Sequence, residues 1–170
     1  MNSKIVIFKN DRIGDLIPSV PAINLIIDKN WLVLGKALFH SPLLSKDNTI
    51  SCASCHMIDF GGDDGFPVST GINNGQGERN SPTVLNATFN FRQFWDGRED
   101  TLAGQAGGPP TNPAEMGLPS KEFAVQRLQE NTFYVEGFKK VYGQDIFENP
   151  SKAYDAMAKA IEAFEQTKEF

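Results

Sequence analysis

Only two cysteines and two histidines occur in 170 residues, and three of those four side chains fall within one short run, Cys52-Ala-Ser-Cys55-His56. This C-x-x-C-H pattern constrains the chain more than any other feature. Cysteines this close enclose too small a loop to staple a scaffold. The pair therefore points to metal, redox or haem chemistry. On one helical turn, two thiols at this spacing can each bond a vinyl group on adjacent pyrroles of one haem. The next residue then directs its imidazole at the iron, for which histidine is a common proximal ligand. Cys52 and Cys55 are thus read as covalent attachment points for one haem c, and His56 as the iron ligand. A zinc site would need four ligands, and only the distant His40 or a carboxylate is left to complete it. A thioredoxin-like dithiol expects a strand before the cysteines and a βαβ frame around them. Lys46-Asp-Asn-Thr-Ile-Ser51 precedes the motif, and no alternating strands follow.

The rest of the chain suits one mainly α domain with long irregular loops. Hydrophobic residues make up 40% and charged residues 22%, enough to bury a core and too apolar for wholesale disorder. The net charge of -5, with no Lys/Arg-rich stretch, argues against a nucleic-acid partner. No apolar run reaches the roughly 18 residues of a membrane span. Lys4-Ile-Val-Ile-Phe8 reads as a short strand, and 12–27 as an apolar segment broken by Pro18 and Pro21. Charged Asp11, Arg12 and Asp15 follow the strand, so no secretory signal is recognised. From residue 30 the pattern changes. Trp31, Leu34, Leu38 and Phe39 share a helical face, with Asn30 or Asp28 as cap and Pro42 as terminator. Residues 57–83, rich in Gly, Pro, Asn and Asp, predict a long loop, and loops of that length are usually functional. Residues 91–119 are expected to be irregular. Helices are expected near 120–130, 132–142 and 150–168, the last with an apolar stripe of Ala153, Met157, Ala160, Ile161 and Phe164.

Two resemblances follow from longer motifs. Lys4-Ile-Val-Ile-Phe-Lys-Asn-Asp-Arg-Ile-Gly-Asp-Leu resembles the opening of a heptosyltransferase-type, family 9 glycosyltransferase, within residues 4–24. Residues 1–29 are accordingly read as an N-terminal extension of uncertain origin. The second resemblance covers 30–168. Leu34-Gly-Lys-Ala-Leu-Phe39, Thr49-Ile-Ser-Cys-Ala-Ser-Cys-His56, Gly77-Glu-Arg-Asn-Ser-Pro-Thr83 and Phe94-Trp-Asp-Gly-Arg98 occur in order. Gln105-Ala-Gly-Gly-Pro109 and Asn112-Pro-Ala-Glu-Met-Gly117 complete the series. Together they resemble the haem-bearing N-terminal half of the di-haem cytochrome c peroxidase/MauG family.

That resemblance implies a cytochrome c-like domain over 30–170, expected to be cut short before a second haem domain. It implies reduction of hydrogen peroxide, with electrons from a small c-type cytochrome or cupredoxin. Gln105 and Glu115 match the distal pair, whose carboxylate moves a proton between the two peroxide oxygens. Trp95 matches the tryptophan between the haems; a core aromatic is the plain alternative. Asn80 matches a ligand of an interface calcium ion. Arg79 and Arg98 are candidates for haem propionates or for structural salt bridges. A homodimer and a periplasmic location are also implied.

One position departs from the family pattern. Many members carry a distal histidine in the long loop; Ile72 stands there, and Ile does not ligate iron. His40, Met57 and Met116 are the remaining candidates. The expectation is an open sixth position. A mono-haem electron carrier without catalysis, and a MauG-like oxidase of a protein or organic substrate, stay open as alternatives.

Overall fold

A computed structural model describes residues 29–167 and 170. The strand, the 12–27 segment and the glycosyltransferase-like motif, as well as Asp28, lie outside them. Among the described residues six α-helices run in order: α1 Lys29–His40, α2 Cys52–Cys55, α3 Leu102–Ala106, α4 Lys121–Gln129, α5 Thr132–Tyr142 and α6 Pro150–Glu165. Among the described residues there are only isolated antiparallel bridges, such as Met57 with Asp63 and Thr70 with Gln76, and no strand.

Side-chain caps explain where these helices start. An Asn, Ser or Thr oxygen that accepts a backbone N–H satisfies one of the donors left over in a first turn. Ser120 accepts from Phe123 N at the head of α4. Asn131 accepts from Phe133 N at α5, and Asn149 accepts from Lys152 N at α6 with Pro150 following it. α6 ends at Glu165, three residues before the expected end. The short α3 corrects the expectation that 91–119 is irregular throughout. Thr101 caps it by accepting from Gly104 N. Five residues with a glycine at their centre are too little pattern for a periodicity argument, so packing rather than propensity holds this helix.

The core is the buried stripe of α6 set against α1, α3, α4 and α5. Leu34, Leu38 and Phe39 of α1 meet Met157, Ile161 and Phe164 of α6 in one cluster. Phe39 and Phe164 pack edge to face with centroids 5.5 Å apart. Tyr154 Oη donates to Gly107 O at 2.9 Å, tying α3 to α6, and Tyr142 Oη donates to Ala156 O at 2.7 Å. α1 approaches α6 so closely that a Cβ on Gly35 would collide with the backbone of Ala160.

A second device holds the segment that leads into the motif. Arg127 on α4 donates to the carbonyls of Leu43, Ser45 and Lys46 and to Asn48 Oδ1, at 2.5–3.1 Å. Lys46 N in turn donates to Met116 O at 2.8 Å. The approach to Cys52 and the loop around Glu115 are thus fixed to each other. No sequence signal marked Arg127, because its partners are backbone groups some 80 positions away.

Gly35→Ala is expected to destabilise the protein by about 3 kcal/mol, because neither helix backbone can yield to the added methyl. A urea titration should show a lower midpoint at unchanged slope.

Candidate functional site

Ser51 begins the short turn α2. Its backbone N–H donates to Ser54 Oγ, and the turn carries Cys52 and Cys55 toward the interior. His56 follows with a backbone that has left the helix (φ -122°, ψ 68°), so its ring is aimed independently of the turn. Two groups from the long loop fix that ring. Ser81 Oγ donates to Cys55 O at 2.9 Å and lies 3.2 Å from His56 Nδ1. Gly62 O lies 3.3 Å from the same nitrogen. With the serine proton committed to Cys55 O, both neighbours of Nδ1 act as acceptors. The network therefore assigns the proton to Nδ1 and leaves the Nε2 lone pair free. Gly62 adopts φ 79°, a backbone state that needs no Cβ, and a Cβ there would press on Thr83 and Leu85.

The electrostatics suit the same chemistry. Burial holds the His56 pKa below its ordinary value, so the imidazole is neutral and able to ligate. Burial, then the nearby Glu165 carboxylate, pushes the Cys52 thiol up to about 12. Burial, then Asp64, raises Cys55 as well. A dithiol redox motif depends on a lowered thiol pKa, and both shifts run the opposite way. Among the described residues no three His, Cys, Asp or Glu side chains converge into a metal-binding cluster, which disfavours the zinc alternative.

All nine residues singled out in the sequence line one cavity of about 550 Å³. That volume lies in the range of ligand and cofactor sites. Gln105 enters from α3 and Glu115 from the loop before α4. Asn112 Nδ2 donates to Glu115 Oε1 at 2.8 Å, holding the carboxyl in place. Burial raises the pKa of Glu115, against the lowering effects of Asn112 and Arg98. At the opposite rim Phe94 sits in the left-handed region (φ 65°), and the Arg98 guanidinium stacks on its ring at 3.4 Å. Such a backbone state in a bulky residue is strained and concentrates at functional sites.

Trp95 follows at this corner. It is 60% exposed, so it is no core aromatic, and its Nε1 donates to Asn80 O at 3.0 Å. Arg79 and Arg98 both reach Asp96, at 3.5 and 2.9 Å, and both line the cavity. Their salt bridges are thus present, at the rim where acidic groups of a ligand would lie.

The sixth-ligand candidates separate clearly. Ile72 is buried beneath the 114–117 loop, where its N–H donates to Glu115 O at 2.9 Å and its Cδ1 lies against Gly117. It does not line the cavity. His40 is exposed with Nδ1 at 3.0 Å from Lys36 O, and neither it nor Met57 lines the cavity. Met116 does. Two contributors had no individual signal in the sequence. Ser81 was part of a motif but without a role. Glu165 looked like the polar end of an apolar stripe, yet it is fully buried and faces the cavity.

These donors fit a c-type haem: two protonated thiols and an imidazole with a free Nε2 line one cavity of cofactor size. A family model described as di-haem cytochrome c peroxidase matches residues 29–169. The chain belongs to this family.

Among relatives of this di-haem peroxidase family member, cytochrome c peroxidase Ccp of Escherichia coli is 43% identical over 140 residues, 82% of this chain and 29% of that protein. Cytochrome c551 peroxidase of Nitrosomonas europaea is 45% identical over 79% of this chain and 38% of its own length. Methylamine utilization protein MauG of Paracoccus denitrificans is 38% identical over 84% and 42%. The chain thus spans 29–42% of the length of these relatives. The diheme peroxidase BthA from Burkholderia thailandensis superposes with a TM-score of 0.76 at 25% identity, over 84% of this chain and 39% of that one. A MauG-like protein associated with microbial copper homeostasis superposes at 0.72 with 26% identity, over 85% and 42%. The mainly α, cytochrome c-like fold and the haem c cofactor class are those of the family.

Ser81→Ala should cost about 1–3 kcal/mol, because it strands the Cys55 carbonyl and loosens the His56 ring. Chemical denaturation of the haem-loaded protein, compared with wild type at equal haem content, measures this.

Proposed function

We propose that this chain is the peroxidatic part of a di-haem enzyme that reduces hydrogen peroxide to water. The observation that carries the proposal is the pairing, in one cavity, of a free His56 Nε2 with a Glu115 carboxyl whose pKa burial has raised. Cys52 and Cys55 would hold one haem c and His56 would ligate its iron. When bound, the haem supplies an iron that binds peroxide and passes electrons to it.

The chain's own residues manage the protons. Net reduction consumes two electrons and two protons for each peroxide and yields two waters. The O–O bond breaks heterolytically only if the departing oxygen is protonated, so a group must take a proton from one oxygen and deliver it to the other. Glu115 suits this task. Asn112 holds Oε1, which leaves Oε2 to exchange the proton. A pKa above the ordinary carboxylate range brings the acid and base forms closer in energy at neutral pH. The Gln105 amide, lining the same cavity, can orient the peroxide by hydrogen bonding.

Trp95 would carry electrons at the rim, where its exposure leaves it free to meet a further haem domain. The electrons would come from a small c-type cytochrome or cupredoxin. Arg79 and Arg98 would pair with the haem propionates, for which planar guanidinium is suited. Asn80 would offer one side-chain oxygen to a calcium ion that needs six to eight, most of them from another domain. A periplasmic location follows from covalent haem attachment, and a homodimer from the resemblance.

Two readings compete. A mono-haem electron carrier would fill its sixth position, and Met116 is the one candidate thioether that lines the cavity. A MauG-like oxidase would use the same cavity on a larger substrate, in keeping with the 38% identity to MauG of Paracoccus denitrificans. The resting ferric spectrum separates the carrier from the peroxidase. It is expected to be high-spin and unchanged in Met116→Leu. A low-spin spectrum that turns high-spin in this variant would establish the carrier.

Glu115→Gln is expected to lower kcat for peroxide by about 10²–10⁴-fold, with covalent haem content unaltered. The pH profile has a definite sign. Glu115 must be ionised to accept a proton, so turnover should fall as pH drops through its pKa. The midpoint of that limb should lie above the ordinary carboxylate range, in line with the raised value. Loss of activity toward a protein substrate but not toward peroxide would favour the oxidase.

A further inference from the structure

Glu165 is the one fully buried acid among the described residues, and the peroxidatic reading gives it no task. It ends α6, is 4% exposed, and lines the haem cavity one turn beyond Ile161. Its Oε2 has no hydrogen-bond partner. Leaving a buried oxygen in that state is destabilising, so the position is not explained by packing.

The charges around it do not compensate it. On its own helix Glu162 repels it, and Glu162 Oε1 already accepts from Ala103 N of α3. From α2 it faces Cys52, whose thiol becomes an uncharged thioether once haem is attached. Across the cavity Arg98 pairs with Asp96 and acts on Glu115. From α1, Lys36 and His40 flank the ring of Phe164 and are exposed. Burial, then Glu162, raises the Glu165 pKa to about 8. A positive charge introduced into this cavity would therefore act strongly on Glu165, because Coulomb interactions are weakly screened in a low-dielectric interior.

We propose that Glu165 is a redox-linked proton site: its carboxyl takes up a proton when the haem held by Cys52, Cys55 and His56 gains an electron, and releases it when the electron leaves. The proposal rests on the haem reading above. One electron supplied in the titration would turn Fe(III) into Fe(II), one proton from solvent would turn the Glu165 carboxylate into the acid, and no other bond would change. The coupling is reciprocal, as any linkage between two binding equilibria must be. Protonated Glu165 favours the reduced haem, and reduced haem favours protonated Glu165. Glu115 serves peroxide; Glu165 would keep the cavity's net charge constant while electrons pass.

The test is a spectroelectrochemical titration of the mature haem-loaded protein between about pH 5 and 10, following the haem attached at Cys52 and Cys55. Wild type should show a segment in which each pH unit shifts the reduced-to-oxidised ratio at fixed potential by up to tenfold, or 59 mV per unit for one electron. Glu165→Gln should flatten this segment, and Glu165→Asp should restore a slope. A second measurement needs no variant. The reduced-minus-oxidised infrared spectrum of protein made with isotope-labelled glutamate should gain the C=O stretch of a protonated carboxylic acid. A flat wild-type profile, a slope that survives in Glu165→Gln, or absence of that labelled band overturns the proposal. Absence of the covalent-haem absorption itself would instead overturn the haem reading.

Discussion

The candidate site is built against α6, which contributes Ile161 and Glu165 to its lining. That helix buries Ala153, Met157, Ala160, Ile161 and Phe164, and it presses on α1 at Gly35 until no Cβ would fit between them. Apolar burial of this kind is non-directional, so it sets the distance between elements but not the aim of a side chain. The aim comes from a few polar ties made over the packed surface. Tyr154 fastens α3, which carries Gln105, to α6. Arg127 fastens the segment before Cys52 to α4. Ser81 and Gly62 fasten the His56 ring. Rigid packing first and directional bonds second is the order a preorganised site needs.

The cavity is asymmetric in its chemistry. Near α2 and α6 lie two protonated thiols, Ile161 and an uncharged acid. At the rim lie Arg79, Arg98 and Asp96. A haem has the same asymmetry, with apolar vinyl edges and charged propionates. The burial that keeps His56 neutral also raises Glu115 and Glu165. One physical cause, loss of solvation, thus favours the uncharged form of the imidazole and of both carboxyls.

The place of Ile72 ties the long loop to the segment that carries Glu115. The backbone N–H at this position bonds Glu115 O, and the side chain packs under Gly117. An apolar residue here is stabilised by staying with the loop below it, whereas an imidazole would have a reason to leave. Burial of Ile72 and the position of Glu115 are therefore one structural fact.

Much was legible in the chain itself. The reading of Cys52, Cys55 and His56 as a haem-attachment motif rests on the rarity and fixed order of those residues, and the structure brings all three to one cavity. Helices α1, α4, α5 and α6 followed from local pattern, although Asn30, read as a cap, lies inside α1. The motif order extended the reading to Gln105, Glu115 and Trp95, and the absence of a distal histidine at Ile72 was visible by counting. What only the tertiary structure decided is what acts through space. The convergence of nine residues on one cavity, the serine that sets the His56 tautomer, the backbone grip of Arg127 and the short α3 all depend on partners far along the chain. Glu165 is the clearest case. In the sequence it is a glutamate at a helix end, where exposure is the rule. Its burial, its missing partner and its raised pKa exist only because α6 turns that end inward, since desolvation is a property of the surroundings and not of the residue.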